Sequence, residues 1–233
     1  MAAIGFRRIF SGKGTGGRSF YAVPTAGDPA NPTPWDALTD DGNPVDTGKR
    51  NGLFLKKAFR SLQDAAQAGH KVLLIVPLAA SALQTREGTT AVVEGIKTLD
   101  RDLRKRVAID LFDLPEEPSL EYMEDIIVPV MAFFERFLAR PSNALDDYTV
   151  FANLNLIGVS ADMEDPNHPD LTQFWAQARK RRLALFAHGV GQPAQAEELK
   201  KFEVEGMDGP LLGGLFPDLT EAGLACQRDA FEV

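Results

Sequence analysis

A chain of 233 residues has room for one large domain or two small ones at about 150 residues each. With 44% hydrophobic and 25% charged residues it can bury a full core, which excludes disorder and rod-like coiled coils. Lysine and arginine number 25 against 33 aspartates and glutamates, a net charge of -8, which is the wrong sign for a nucleic-acid polymer held by counterion release. The single cysteine, Cys226, makes neither an internal disulfide nor a thiolate zinc site. No window reaches the roughly eighteen apolar residues of a membrane span. Residues 1–10 are too short and polar for a signal peptide, so a cytoplasmic protein is expected.

Residues 1–19, with Arg7, Arg8, Lys13 and Arg18, read as a flexible, solvated N-terminal segment ahead of a single domain over 20–233. Residues 11–50 are dense in Gly, Pro, Asp, Asn and Thr. One apolar island, Phe20-Tyr21-Ala22-Val23, predicts a short strand there, and 24–52 reads as an irregular covering loop. The spacing of Leu55, Ala58, Phe59, Leu62 and Ala65 predicts a helix from 53 that Gly69 terminates. The apolar run 72–76, stopped by Pro77, predicts a strand buried on both faces.

A helix over 91–103 and a strand over 107–112 follow. Next comes a long helix over 120–138, capped by Ser119 and kinked at Pro129. Further on, strands are predicted over 149–154 and 156–160, a helix over 171–181, a strand over 183–187 and a helix over 193–202 begun by Pro193. A short strand over 210–212 and a helix after Asp218 close the chain. Strands and helices in alternation predict a parallel, TIM-like (β/α) barrel, with a doubly wound open sheet as the alternative. In either, chemistry belongs at the carboxyl ends of the strands: near Val23, Pro77, Asp110, Asp113, Ser160, Asp162, His188 and Leu212.

Those strand ends carry a resemblance. Ala187-His188-Gly189-Val190, then Gln195, Leu199, Met207-Asp208 and Gly213-Gly214-Leu215-Phe216, resembles the C-terminal part of EAL-type cyclic di-GMP phosphodiesterase domains. The family pattern there is A-E-G-V-E, a helix containing E-Q and Leu, and a Q-G-Y-x-F turn. Residues 107–113 resemble its strand ending E-x-T-E, 72–83 its strand ending N-x-S, and 156–162 its strand ending K-x-D, with Ser160 at the lysine and Asp162 at the aspartate. The resemblance covers 53–216 in order and implies a TIM-like (β/α) barrel of EAL type, partly truncated.

It also implies two divalent cations held by glutamate, asparagine and aspartate oxygens, because hard cations need oxygen ligands and the attacking water needs two metals. Here the pattern departs. No E-A-L stands near residues 20–23, Pro77 replaces the asparagine, Asp110 replaces one glutamate and His188 another, and Leu212 falls at the glutamine. The adjacent aspartates of the fifth strand lack a counterpart at the expected spacing: Asp146-Asp147 lie too early, or Asn153 ends that strand. The departures imply a degenerate, non-catalytic domain without a cofactor, working in bacterial signalling through a protein partner or a homodimer. The alternatives are a metal-independent receptor for cyclic di-GMP or another phosphorylated ligand, and a divergent enzyme using His188 and Asp110 as an acid/base pair.

Asp110, Asp113, Ser160, Asp162, His188, Gly189 and Gly191 form the candidate ligand pocket. Gly189 and Gly191 fit a tight turn or a phosphate cradle at a helix N-terminus. Gly12 to Gly17 lacks the spacing of a phosphate loop and reads as flexible. The acidic stretch Asp162, Glu164, Asp165, Asn167, His168 and Asp170 lacks calcium-loop spacing and reads as solvated loop. The basic run 179–182 complements a helix dipole. The helix over 120–138 has more apolar residues than one buried stripe requires, so Ile126, Val130, Phe133 and Phe137 are its candidate interaction surface.

Overall fold

The computed structural model describes all residues except 1–2, 13–15, 27–31, 33–34, 41, 143–144, 166–169 and 230–233. Nine strands run β1 Ala3–Phe10, β2 Gly16–Thr25, β3 Leu73–Ala79, β4 Val107–Phe112, β5 Phe137–Ala139, β6 Gly158–Asp162, β7 Ala184–His188, β8 Gly206–Met207 and β9 Leu215–Phe216. The helices are α1 Pro44–Gln67, α2 Arg86–Ile96, α3 Leu120–Met131, α4 Thr149–Asn153, α5 Leu171–Lys180, α6 Pro193–Lys201 and α7 Leu219–Asp229. Strands β2 to β8 pair in sequence and in parallel, and β1 closes the ring by pairing antiparallel with both β2 and β8. The result is a closed, mixed eight-stranded barrel wrapped by helices, with β9 pairing β1 farther along the edge that β8 meets. The open-sheet alternative is excluded by this closure.

The barrel and its jacket divide the apolar residues by strand period. A strand's side chains alternate between its two faces. A small inner cluster of Ile9, Tyr21, Val23, Ile75, Ala108, Leu138 and Phe186 fills the lower barrel, and a much larger one lies between strands and helices. Gly206 belongs to this packing, since a Cβ there would lie 2.7 Å from Ile9 and 2.9 Å from Phe186. Two residues on toward the carboxyl ends stand Asp110, Arg140, His188 and Asp208, with Pro77 on β3 the apolar exception, and these polar positions build the mouth.

Several expectations change. Residues 3–10 form β1, paired with β2 from Ala3–Thr25 to Phe10–Gly16, and Arg7 is only 5% exposed, so the first segment is not a frayed tail. Its Ile4, Phe6 and Ile9 pattern is broken by two arginines, which hid the strand. The 24–52 stretch is not all loop: a short 3-10 turn occupies Trp35–Leu38, and α1 begins at Pro44, where Asn43 accepts from the Asp46 amide. The helix predicted over 91–103 is α2, followed by a separate 3-10 segment at Arg101–Arg106. Residues 149–154, rich in β-branched character, form α4 instead of a strand. The predicted strand at 210–212 is a turn, and pairing falls to β8 and β9 instead. Residues 13–15 of the Gly-rich run, and 166–169 of the acidic stretch with Asn167 and His168, lie outside the described residues.

The helix expected over 120–138 is two elements. α3 ends at Met131, and Phe137 starts β5, three residues pairing with both β4 and β6. Ile126, Val130 and Phe137 are 2%, 0% and 4% exposed, and Phe133 is half-buried under the Arg104 guanidinium, 5.0 Å from its ring. The apolar excess is therefore consumed by the protein's own core, and the expected interaction surface is corrected accordingly. Val128 and Met131 are the large apolar side chains of α3's later turns that reach solvent.

Candidate functional site

Seven side chains from six strands or strand ends meet at the carboxyl end of the barrel. Asp110, on β4 and wholly buried, is the hub. Its Oδ1 accepts from Ser160 Oγ on β6 at 2.7 Å, and its Oδ2 accepts from Tyr21 Oη on β2 at 2.6 Å. Arg140, directly after β5, donates to the same Oδ2 at 3.2 Å and to Tyr21 Oη at 3.2 Å. Its other terminal nitrogen reaches Asp162 Oδ2 at 3.4 Å, which also accepts from Trp35 Nε1 at 2.8 Å. The guanidinium lies 5.1 Å from the Trp35 ring centroid and 5.9 Å from that of Phe112, within cation–π range.

Beside this hub sits a second one. His188, at the end of β7, is 1% exposed and holds Asp208 Oδ2 through Nδ1 at 2.5 Å, while its Nε2 stops 3.6 Å from Asp110 Oδ2. Its ring packs against that of Tyr21 at 3.8 Å between centroids, tilted by 37°. Asp208, 1% exposed, faces Arg7 at 3.6 Å, and Arg7 donates to Glu164 at 3.4 Å. Two arginines thus each link two carboxylates.

The electrostatics follow from burial. Loss of water pushes the Tyr21 phenol well above its ordinary pKa, and the Asp110 carboxylate beside it adds to the rise, so the hydroxyl stays a donor. Burial alone would lower the Arg140 pKa. Tyr21, Asp110 and Asp162 outweigh it and hold the guanidinium above its usual value, permanently charged.

Above the network opens a cavity of about 590 Å³ whose lining includes Arg7, Trp35, Phe112, Arg140, Asp162 and Gly189. Five carboxylates line it, Asp36, Asp113, Asp162, Glu164 and Asp165, against the two guanidinium groups of Arg7 and Arg140. An anionic ligand would meet a net negative wall.

Of the residues expected here, Asp110, Ser160 and His188 converge but lie beneath the cavity and do not line it. That geometry does not offer His188 and Asp110 as an acid/base pair in the mouth. Asp162 stands at the rim. Asp113 also lines the cavity; Ser81 donates to its carboxylate, and its backbone is left-handed at φ 59°. Gly189 lines the cavity at φ +75°, where a Cβ would press on Glu164 at 2.6 Å. Gly191 is not part of a phosphate cradle: its amide and that of Gln192 both donate to Gln195 Oε1 at 3.0 Å, and the Val190 amide donates to the Asp208 carbonyl. Leu212 is half-buried in the turn beyond β8, and the residue leaving that strand into the mouth is Asp208.

Sequence reasoning missed Arg7, Tyr21, Trp35, Arg140 and Asp208. Tyr21 was visible as the alternate position of an identified strand. Arg140 was hidden because β5 is too short to read.

No family model matches the sequence, and a comparison with curated proteins by sequence finds no match. Solved structures do resemble the fold. The PaMucR phosphodiesterase in complex with c-di-GMP superposes with a TM-score of 0.69 at 16% identity, over 93% of this chain and 97% of that one. The Bacillus subtilis YkuI protein, with an EAL domain and in complex with substrate c-di-GMP and calcium, gives 0.71 at 13% identity, over 99% of this chain and 62% of that one. The FimX EAL domain gives 0.67 at 12%, over 94% and 92%. The chain therefore has the fold of an EAL domain. No helix among the described residues is long and apolar enough to cross a membrane.

The two divalent cations implied by the resemblance can be tested against these residues. Hard cations need several oxygen ligands with free lone pairs. Both Asp110 oxygens are already engaged, the Tyr21 phenol of β2 occupies one of them, Pro77 lies in register with Asp110 on β3, and a fixed guanidinium bridges Asp110 and Asp162. With Arg140 in place, this set does not fit them.

Proposed function

We propose that this EAL-fold chain is catalytically inactive and serves as a signalling or regulatory module that binds a protein partner. One observation carries the reading: Arg140 bridges Asp110 and Asp162 where hydrolysis would require divalent cations. Tyr21 and Ser160 complete that network, so that three donors already meet the two oxygens of Asp110. Hydrolysis of a cyclic dinucleotide, followed by chromatography of the products in Mg²⁺ or Mn²⁺, is expected at the no-enzyme background. Turnover that disappears in Asp110→Ala would overturn the proposal.

A second reading, metal-independent binding of cyclic di-GMP, is favoured by the cavity with its Trp35 and Phe112 walls and by the presence of that nucleotide in the PaMucR and YkuI complexes. The surplus of carboxylates around the cavity weighs against it. Calorimetry with cyclic di-GMP, with and without Mg²⁺, separates the two: heat of binding independent of metal supports the receptor, and no heat supports the protein-binding module.

A further inference from the structure

We propose that Arg140 is a tethered counter-ion seated in a latent divalent-cation site, and that this one side chain closes the mouth to Mg²⁺ and Ca²⁺. The proposal rests on the metal-free reading above and deepens it.

The donors around the guanidinium are all hard oxygens from three different strands. Asp110 and Tyr21 come from β4 and β2 and Asp162 from the end of β6; Ser160 Oγ, also on β6, holds the far side of Asp110. Two carboxylates from separate strands, brought to one cation in a largely dehydrated mouth, are the kind of set that binds divalent ions when the centre is open. Here the centre is taken by a group that cannot dissociate and cannot deprotonate, because the guanidinium is covalently attached and its charge is fixed. Arg140 is also held in place from above by the Trp35 and Phe112 rings and through its backbone amide, which donates to the Leu111 carbonyl at 2.7 Å. The arrangement meets the rest of the mouth through His188, whose Nε2 lies 3.6 Å from Asp110 Oδ2. Arg7 serves Glu164 and Asp208 separately.

Taking the guanidinium away leaves Asp110 and Asp162 without the cation that bridges them. A buried carboxylate beside a second, partly exposed one then needs a proton or a cation. In a set of oxygen donors, a hard cation is the occupant that satisfies both carboxylates at once.

Terbium luminescence reads this directly, since Trp35 Nε1 touches Asp162 and can sensitise a lanthanide bound there, whereas the only other tryptophan, Trp175, packs on Phe202. Titration of Tb³⁺ into Arg140→Ala is expected to give saturable emission at least tenfold tighter than in the wild type. Ca²⁺ or Mg²⁺ should compete it away, and Asp162→Asn in the same background should abolish it. Arg140→Lys, which keeps a cation in place, should behave as wild type. Circular dichroism is read in parallel with and without Ca²⁺. Emission of equal affinity in wild type and Arg140→Ala overturns the proposal, as does a folded Arg140→Ala that binds no Tb³⁺. A variant that folds only with Ca²⁺ supports it, and one unfolded under both conditions overturns it. Turnover of cyclic di-GMP by the wild type would instead defeat the metal-free reading, independently of the Arg140→Ala titration.

Discussion

The flank formed by α1 and α2 and the mouth formed by Tyr21, Asp110, Arg140 and Ser160 are held by opposite means. On the flank, backbone meets backbone: a Cβ at Gly48 would lie 2.3 Å from Gly88 Cα, and one at Gly52 would lie 2.3 Å from the Ala91 carbonyl. Shape alone decides there, and the apolar stripe of Leu55, Phe59 and Leu62 does the burying. In the mouth every group is polar and each is tolerable only because its partner is present. The flank's paired polar group is Asn51, buried on α1, which donates to the Leu38 carbonyl and accepts from the Ala79 amide. The mouth stands or falls on pairs.

The sharpest break in that comparison is Asp110→Ala. It strands the largely buried Arg140 cation and is expected to cost about 3–5 kcal/mol in urea unfolding. Asp110→Leu with Arg140→Met removes both charges and should recover most of that loss, since a buried ion pair often exchanges with apolar residues at little net cost. A double variant as unstable as the sum of its parts would show that the mouth is not a paired unit. Gly52→Val comes next, at about 1–3 kcal/mol, because the helices must part to admit a three-carbon side chain whose Cβ alone would overlap the Ala91 carbonyl. No single partner change should rescue it, in contrast with the mouth.

The pH dependence follows from the phenols. Burial raises the pKa of Tyr21 well above its ordinary value, and that of Tyr148 is also raised by burial. A raised folded-state pKa contributes stability that is complete below the unfolded-state value, about 10, and is lost above it. Stability should therefore fall above pH 10 by up to about 1.4 kcal/mol per pH unit for each buried tyrosine. Tyr21→Phe should fall less steeply than the wild type in guanidinium melts between pH 9 and 11. The smallest effect expected is that of Trp35→Phe, which removes one hydrogen bond to Asp162 and should cost about 1 kcal/mol. It would also leave Arg140 its second carboxylate, so thermal unfolding should shift by only a few degrees.

The contrast also explains what could be read in advance. β3, β4 and β7 stand out as continuous apolar runs because parallel strands are covered on both faces, and α5 and α6 carry their own start signals at Asp170 and Pro193. The barrel followed from those. β5 did not: Phe133, Phe134, Phe137 and Leu138 continue the helical spacing of α3, and three residues carry no period of their own. In the site, Asp110, Asp162 and His188 were legible because the first interrupts an apolar run and the other two end one. Its basic half was not, since Arg7 lies within a strand broken by charge and Arg140 follows the strand that could not be seen.

The seam that closes the barrel has a consequence for how the chain reaches this state. β1 meets β8 through the single pair Phe10 and Met207, and β9 through the pairs Phe6–Phe216 and Arg7–Leu215. Arg7 waits for Asp208, about 200 residues later in the chain. During synthesis the β1–β2 hairpin can form early, with β2 ready to receive β3, but its outer edge stays unpaired and a cation on it stays solvated until β8 and β9 have emerged. Ring closure is then a late event, and until it occurs that edge is open to other strands, with the charge of Arg7 guarding it against mispairing.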